Sequence, residues 1–211
     1  MAATQLGRSE VILEKDVWVC WTLEQVFSIP GLHLAFKGGT SLSKAYGVIS
    51  RFSEDLDLVL HCPNLEELEN LTRNQRDALT QSLRNSVAEV VRDRVFPELE
   101  NAFARDFSRK AKLEIQGDHG EQLRLFYASQ NTGGYVGESV LLEFGGRNSA
   151  EPSLDLELRA DLEAVLPQYR FPRPKVHTLS ILRTYWEKVT LIHAEVCRTA
   201  RSSYSRYSRH L

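Results

Sequence analysis

The stretch FKGGTSLSKAYGVISRFSEDLDLVL, from Phe36 to Leu60, constrains the fold more than any other part of the chain. Residues Leu32 to Phe36 alternate loosely with period two, a pattern typical of a strand, and they lead into a glycine pair. The segment SLSKAYGVI is predicted to form a short helix that starts at these glycines, and Leu56 to Leu60 are predicted to form a buried strand. Strand, turn, helix and strand in such close succession predict a sheet with helices on at least one face.

Three longer segments show helical periodicity. Apolar residues recur at helical spacing from Ser9 to Phe27, and Ser9 is placed to cap the helix. A long polar-rich helical stretch is predicted from Leu65 to Phe107, with a break or bend near Phe96-Pro97, because proline disfavours helical geometry in the residue before it. The last helix is predicted from Leu179 to about Thr199, with one apolar stripe along its length.

Further strands complete a mixed sheet, so that we predict an α+β fold. The strand candidates are Ala111 to Ile115, Gln122 to Ala128 and Ser139 to Phe144. The glycine-rich turn Asn131 to Gly137 connects the last two and predicts an antiparallel hairpin. The polar segment EPSLDLELRADLEAVLP that follows cannot be assigned to a helix or a strand, and FPRPK is typical of a connector.

The composition is that of an ordinary globular protein. The 211 residues are 42% hydrophobic and 26% charged, with a formal net charge of -2. No stretch approaches the ~18 consecutive apolar residues of a membrane span, and the N-terminus has no apolar signal region, so we predict a cytoplasmic protein without a membrane partner. Cys20, Cys62 and Cys197 lie far apart without a CxxC pair, which favours buried, reduced thiols over disulfides or a zinc site.

The glycine pair is a candidate binding site for a phosphate group. Glycines before a helix let the backbone approach an anion, and the first N–H groups of the helix favour negative charge there. Thr40 and Ser41 add two hydroxyl groups beside Gly38 and Gly39. The segment GGTSLSK lacks the second glycine of a P-loop, so P-loop chemistry is not expected, and Lys44 is predicted to be a helix surface charge.

Asp55 and Asp57 are two residues apart at the start of the predicted buried strand. Residues i and i+2 of a strand share a face, so Asp55 and Asp57 are predicted to point together. Two carboxylates this close need a cation between them, and their oxygens suit Mg²⁺ or Mn²⁺ bound together with substrate phosphates. With the glycine turn, they predict a site for a metal-bound nucleoside triphosphate. The alternative is that the glycines only form a tight loop and the aspartates decorate an exposed strand.

Four motifs in order, KGGTSLSKAY, RFSEDLDL, LLEFGGR and RTYWEKVTLIHAE, resemble the AbiEii/AbiGii toxin family, whose relatives include the MenT toxins. The N-terminal EKDVWVCWTL is also similar to that family, so the resemblance covers nearly the whole chain. It implies a nucleotidyltransferase core of the DNA polymerase β type over residues 1–150 and a mostly helical part over 151–211. It also implies the toxin half of a toxin–antitoxin or phage-defence pair, with a cognate antitoxin, and a C-terminal part that is shortened relative to the family.

The resemblance assigns roles to individual residues. Asp55 and Asp57 match the metal-binding DxD pair, and Glu143 matches a third carboxylate that a neighbouring strand supplies. Lys188 matches the lysine of the family's WEK motif, which would reach triphosphate oxygens. The residues expected around the nucleotide are Gly38, Gly39, Thr40, Ser41, Ser53 and Arg51.

Other interpretations of these residues remain open. Glu143 could also be an exposed strand charge, which is the less favoured interpretation, and Lys188 could lie on a solvated helix face. Arg183 and Glu187 have the i, i+4 spacing of an ion pair on one helix. Trp186 and His193 lie on the apolar stripe of that helix and are predicted to be core residues.

The predicted reaction is attack of an acceptor hydroxyl on the α-phosphate of a nucleoside triphosphate, with one or two divalent ions bound by the carboxylates. The resemblance favours the 3′ end of tRNA as the acceptor, followed by a protein hydroxyl. The locally basic tail from Val196 to Leu211 is a candidate RNA contact or a frayed terminus. Two other classes stay open: a non-catalytic module that binds nucleotide or antitoxin, and a metal-dependent phosphodiesterase.

Overall fold

The computed structural model describes residues 2–50, 53, 55–61, 72–108, 112–129, 138–146 and 150–197. Within these residues the chain has the predicted α+β architecture, a mixed sheet with helices packed on it. The helices are α1 (Ala2–Leu6), α2 (Glu10–Phe27), α3 (Gly38–Thr40), α4 (Arg73–Val90), α5 (Phe96–Phe107) and α6 (Ile181–Val196). The strands are β1 (Leu34–Lys37), β2 (Asp55–Leu60), β3 (Lys112–Gln116), β4 (Gln122–Phe126), β5 (Ser139–Gly145), β6 (Ser153–Glu157) and β7 (Lys175–Leu179).

The seven strands form one sheet in the order β3-β4-β5-β2-β1-β7-β6. The pairs β1–β7 and β2–β5 are parallel, and the other neighbours are antiparallel. The predicted antiparallel pairing of β4 with β5 is therefore confirmed, although the turn Asn131 to Gly137 itself lies outside the described residues. Strand β2 lies at the centre of the sheet, which places Asp57 between Lys37 of β1 and Glu143 of β5.

One face of the sheet carries the main hydrophobic core. Leu56 and Leu58 of β2 are fully buried, and Phe36 and Phe144 are the register partners of Leu58 on either side. Helices α2 and α5 cover this face. Because side chains alternate along a strand, the packing of these apolar residues turns the intervening residues of β2 to the opposite face.

Helix α2 forms as its sequence predicts. The hydroxyl of Ser9 accepts a hydrogen bond from the backbone N–H of Ile12 at 3.4 Å, which satisfies a donor at the helix start. Its apolar residues are buried on the core side, and Trp18 stacks on Phe103 of α5 and on Tyr127 after β4. The helix is thereby fixed to both α5 and the sheet.

The predicted irregularity near Phe96-Pro97 is present as a π-helical turn over Val91–Val95, directly between α4 and α5. Proline has no N–H to donate, and its ring meets the carbonyl four residues earlier in a regular helix. A wider turn before Pro97 leaves room for the ring without ending the helical path. Residues 65–71 of the predicted helix lie outside the described residues.

The part of the chain after residue 150 is less helical than the sequence indicates. Strands β6 and β7, which the sequence analysis does not predict, belong to the same sheet as the core, and β7 pairs with β1. A short 3₁₀ turn, Asp161–Ala164, lies between them. The sheet thus continues past residue 150, so that the last helix begins beside β1.

The predicted burial of the apolar stripe of α6 is wrong. Trp186 is 59% exposed and Leu182 is 70% exposed, and His193 is exposed as well. Within α6, which is described throughout, only Thr184 is buried. Periodicity shows that a helix has an apolar face, but it does not show which part of the fold covers that face.

Two further expectations concern cysteines and membranes. Cys20 is buried and reduced as predicted, Cys197 is reduced but exposed, and Cys62 lies outside the described residues. None of the helices in the described ranges combines the length and the apolar character needed to cross a membrane.

Candidate active site

The glycine turn begins where β1 ends. Gly38 has a φ of +77°, a left-handed conformation that side chains disfavour. A methyl group at Gly38 would overlap the carboxylate of Asp57 on the adjacent strand. Gly39 lies against the side chain of Ser53, whose hydroxyl would be 3.1 Å from a β-carbon placed at Gly39. The glycine pair is therefore needed here because the turn passes directly over the second aspartate.

The hydroxyl groups of the turn hold its shape. Thr40 Oγ1 donates to the backbone carbonyl of Asp55 at 2.5 Å, and Ser41 Oγ donates to the carbonyl of Gly38 at 2.9 Å. Both side chains are buried. The first hydrogen bond connects the turn to the start of β2 and the second lies within the turn, and together they fix its geometry before any ligand is bound.

The side chain of Lys44 is only 9% exposed and is ion-paired, which corrects the prediction of a surface charge. Its ammonium group lies 2.5 Å from the carboxylate of Asp16 in α2 and 3.0 Å from that of Asp161 in the 3₁₀ turn. Burial raises the pKa of Asp16, and the ammonium of Lys44 opposes that rise. Asp16 also accepts the backbone N–H of Asp161 at 2.7 Å. This cluster anchors the segment after the glycine turn to two distant parts of the chain.

A row of polar residues crosses the sheet on the face opposite the main core. Lys37 of β1, Asp57 of β2, Glu143 of β5 and Gln122 of β4 are successive register partners. Asp55 lies two residues before Asp57 and so on the same face. The structure thus places the three carboxylates that the sequence analysis proposed as metal ligands on one face of two neighbouring strands, with a lysine on the same face.

The second aspartate has an unusual electrostatic environment. Burial raises the pKa of Asp57 to about 6, from an ordinary value of 3.8. The ammonium of Lys37 opposes this rise, Asp55 adds to it, Lys188 opposes it, and Glu187 adds to it. Lys188, predicted from the WEK motif, therefore lies close enough to Asp57 to affect its charge.

The carboxylates at the site provide some of the oxygen ligands that a hard cation needs. Asp55 and Asp57 are neighbouring carboxylates, and a divalent ion between them would relieve both the burial and the repulsion of their charges. Glu143 accepts a hydrogen bond from Gln122 at 2.7 Å, so its carboxylate is directed at least partly along the sheet. In the described part of the chain, no group of three or more His, Cys, Asp or Glu side chains is arranged to hold a metal ion.

The sequence analysis missed an ion pair at this site. Lys37 Nζ lies 3.1 Å from Glu187 Oε2 of α6, and Arg183 Nε lies 3.3 Å from the other oxygen of Glu187. The second contact is the i, i+4 pair that the helical spacing predicts. Lys37 directly precedes the glycines and lies on the same face of the sheet as Asp57. This position is the sequence signal that would have indicated a role for Lys37 at the site.

Two other features bear on the site. Arg51, proposed as a nucleotide contact, lies outside the described residues. A cavity of about 690 Å³ lies against α2, with Trp18, Trp21, Phe107 and Phe171 among its lining residues. None of the residues that line this cavity belongs to the row of polar residues or to the glycine turn, so the predicted site and this cavity are separate.

A glycine turn over paired aspartates is the arrangement that the sequence resemblance to nucleotidyltransferases predicts. The structure is similar to MenT4, a nucleotidyltransferase toxin from Mycobacterium tuberculosis H37Rv, with a TM-score of 0.51 and 23% sequence identity. The match covers 90% of this chain and 57% of MenT4, so the chain spans little more than half the length of that protein. The family model described as nucleotidyl transferase AbiEii toxin, type IV toxin–antitoxin system, matches residues 21–211.

The chain therefore belongs to the AbiEii nucleotidyltransferase toxin family. This confirms the family resemblance drawn from the sequence motifs. No match was found among curated proteins.

Proposed function

We propose that this protein transfers a nucleoside monophosphate from a nucleoside triphosphate to an acceptor hydroxyl. The observation that carries the proposal is the contact between the glycine turn and the second aspartate, because Gly38 has no room for a side chain beside the Asp57 carboxylate. A triphosphate bound along this turn would place its α-phosphate next to the two aspartates. Membership of the AbiEii family supports the same chemistry.

In the proposed reaction the acceptor oxygen bonds to the α-phosphorus as the bond to the bridging oxygen of pyrophosphate breaks. Asp55 and Asp57, with Glu143 beside them, would hold Mg²⁺ or Mn²⁺, which would supply activation of the acceptor and charge neutralisation at the phosphates. The turn from Gly38 to Ser41 orients the β- and γ-phosphates, and Ser53 supports Gly39. Lys188 neutralises negative charge on the leaving group.

We place the acceptor at the 3′ end of tRNA, as the family resemblance favours, and the protein in the cytoplasm, where both substrates are found. Added nucleotides at that end would block aminoacylation and thereby growth, and a cognate antitoxin would relieve the arrest. Transfer to a protein hydroxyl is the next candidate for the acceptor.

A labelling assay tests the proposal. Purified protein is incubated with total tRNA, Mg²⁺ or Mn²⁺ and each of the four α-labelled nucleoside triphosphates, in parallel with Asp57→Ala. Label in the RNA that requires Asp57 supports nucleotidyl transfer to RNA and identifies the base. Label on protein alone would move the acceptor to a side chain, and shortened RNA would favour a phosphodiesterase. Nucleotide binding without any transfer would favour the non-catalytic module.

A matched control is available in Asp93→Ala. Asp93 is an exposed carboxylate next to Arg92 in the π-helical turn, away from the glycine turn and the aspartates. We expect this variant to label the acceptor as the wild type does. Equal loss of activity in both variants would mean that the assay reports general damage to the protein.

A further inference from the structure

Helix α6 carries Lys188 to the site, although most of the helix packs against little of the described chain. Thr184 is its one buried residue, and its large apolar side chains, such as Leu182 and Trp186, are mostly exposed. Burial of apolar surface is normally what fixes the position of a helix. The contacts near Lys188 must therefore contribute much of the precision with which this lysine is placed.

The ion pair between Lys37 and Glu187 is such a contact. It joins the last residue of β1 to the residue before Lys188, with a nitrogen–oxygen distance of 3.1 Å. The two side chains are only 21% and 20% exposed, so solvent screens this pair less than an ordinary surface pair. Arg183 binds the other oxygen of Glu187 from within the helix, which restricts the rotation of the carboxylate.

The position of Lys37 connects this pair to the site. Lys37 is the register partner of Asp57 and directly precedes the glycine turn. Its place is set by the centre of the sheet, where β1 pairs with β2 and β7. Glu187 thus binds the end of a strand that is paired on both sides, and this contact restricts where Lys188, the next residue of α6, can lie.

We propose that Glu187 is a positioning residue, and that its ion pair with Lys37 holds α6 so that Lys188 reaches the triphosphate beside Asp57. This inference rests on the proposed function, because it assigns Lys188 to the triphosphate. Glu187 itself does not touch the substrate. Its effect on nucleotide binding passes through Lys188, and this makes the two residues energetically dependent on each other.

The test is a double-mutant cycle with Glu187→Gln and Lys188→Met. The affinity of the wild type and variants for each labelled nucleoside triphosphate is measured by equilibrium dialysis, and KM and kcat are measured where transfer occurs. We expect Glu187→Gln to weaken binding and raise KM about tenfold, and to lower kcat as well, because Lys188 also neutralises charge on the leaving group. In the proposal, Glu187→Gln acts only by disturbing the contact between Lys188 and the triphosphate, and Lys188→Met removes that contact altogether. The double variant should therefore bind nucleotide no worse than Lys188→Met alone.

Control variants separate positioning from general damage. Glu195→Gln removes a carboxylate two turns further along α6 and should leave KM unchanged. Glu187→Asp keeps the charge and should recover part of the lost affinity. Hydrogen exchange should become faster in residues 181–196 of Glu187→Gln, whereas α2 should keep its protection.

If the double variant lost nucleotide affinity by the product of the two single losses, the inference would be overturned, since Glu187 would then act independently of Lys188. Unchanged nucleotide affinity in Glu187→Gln, or an equal loss in Glu195→Gln, would overturn it as well. A wild type that binds nucleotide but transfers none would contradict the proposed function alone. Equilibrium dialysis of the four proteins would still show whether the effect of Glu187 on nucleotide binding depends on Lys188. A wild type that binds no nucleotide would contradict both.

Discussion

The carboxylate of Asp57 is expected to make the folded protein less stable than a neutral side chain would. Burial raises the pKa of Asp57 to about 6, whereas the unfolded chain has the ordinary value of 3.8. At pH values above about 6 both states are ionised, and the folded state bears the full cost of a charge in a poorly solvated place. A pKa difference of this size corresponds to about 3 kcal/mol.

Replacement of Asp57 by Asn should therefore stabilise the protein while abolishing transfer. The amide has nearly the shape of the protonated carboxyl, so we expect the free energy of unfolding to rise by up to about 3 kcal/mol at pH 7.5. The gain should shrink as the pH falls, because the folded wild type takes up a proton near pH 6 before the unfolded chain does. It should vanish below the unfolded pKa of 3.8.

Urea unfolding in the presence of a chelator measures this difference, with both proteins followed at pH 7.5 and pH 4.5. Asp93→Asn serves as the control, since Asp93 is exposed and the guanidinium of Arg92 lowers its pKa. That variant should show no gain at either pH. If Asp57→Asn destabilises the protein, or stabilises it equally at both pH values, then burial of the charge is not the dominant effect at this site.

Three further outcomes are expected. Gly38→Ala should abolish nucleotide binding in the dialysis assay because its methyl group displaces the Asp57 carboxylate, whereas Gly47→Ala, where nothing lies within 4 Å, should keep it; equal binding by the two would contradict the geometry. Lys44→Met leaves the buried carboxylate of Asp16 without its cation, whereas the partly exposed Asp161 keeps its pair with Arg8, and urea unfolding should show a loss of roughly 3–5 kcal/mol; a change below 1 kcal/mol would mean that Lys44 is solvated. Alkylation of the native protein followed by peptide mapping should modify Cys197 and spare Cys20, whose pKa burial raises to about 12; early modification of Cys20 would refute its burial.

Local patterns predicted the centre of the fold and much of the candidate site. The alternation of DLDLVL separates Asp55 and Asp57 from the leucines, and the structure places these residues on opposite faces as expected. The glycine turn and the capped helix α2 also follow from neighbouring residues alone. Each of these predictions depends on interactions within a few positions of the sequence.

Contacts between distant residues were not predictable in the same way. Lys44 is paired with Asp161, which lies more than a hundred positions later, so its burial leaves no trace in the local sequence. Strand β6 alternates leucines with charged residues, but it is short and mostly exposed at the edge of the sheet, and its pairing with β7 is not visible in its own sequence. The sequence showed that α6 has an apolar stripe, but it did not show that the described part of the fold leaves this stripe exposed.

The alternation in β2 also ties the chemistry of the protein to its folding. If β2 slipped by one residue against β1 and β5, Leu56 and Leu58 would face solvent and Asp57 would enter the hydrophobic core. A chain with β2 in the wrong register thus loses the burial of apolar side chains, which is the largest favourable term in folding, whether or not substrate is present. A molecule that has assembled its core has, by the same event, placed its aspartates correctly, so partly active misfolded forms should be rare.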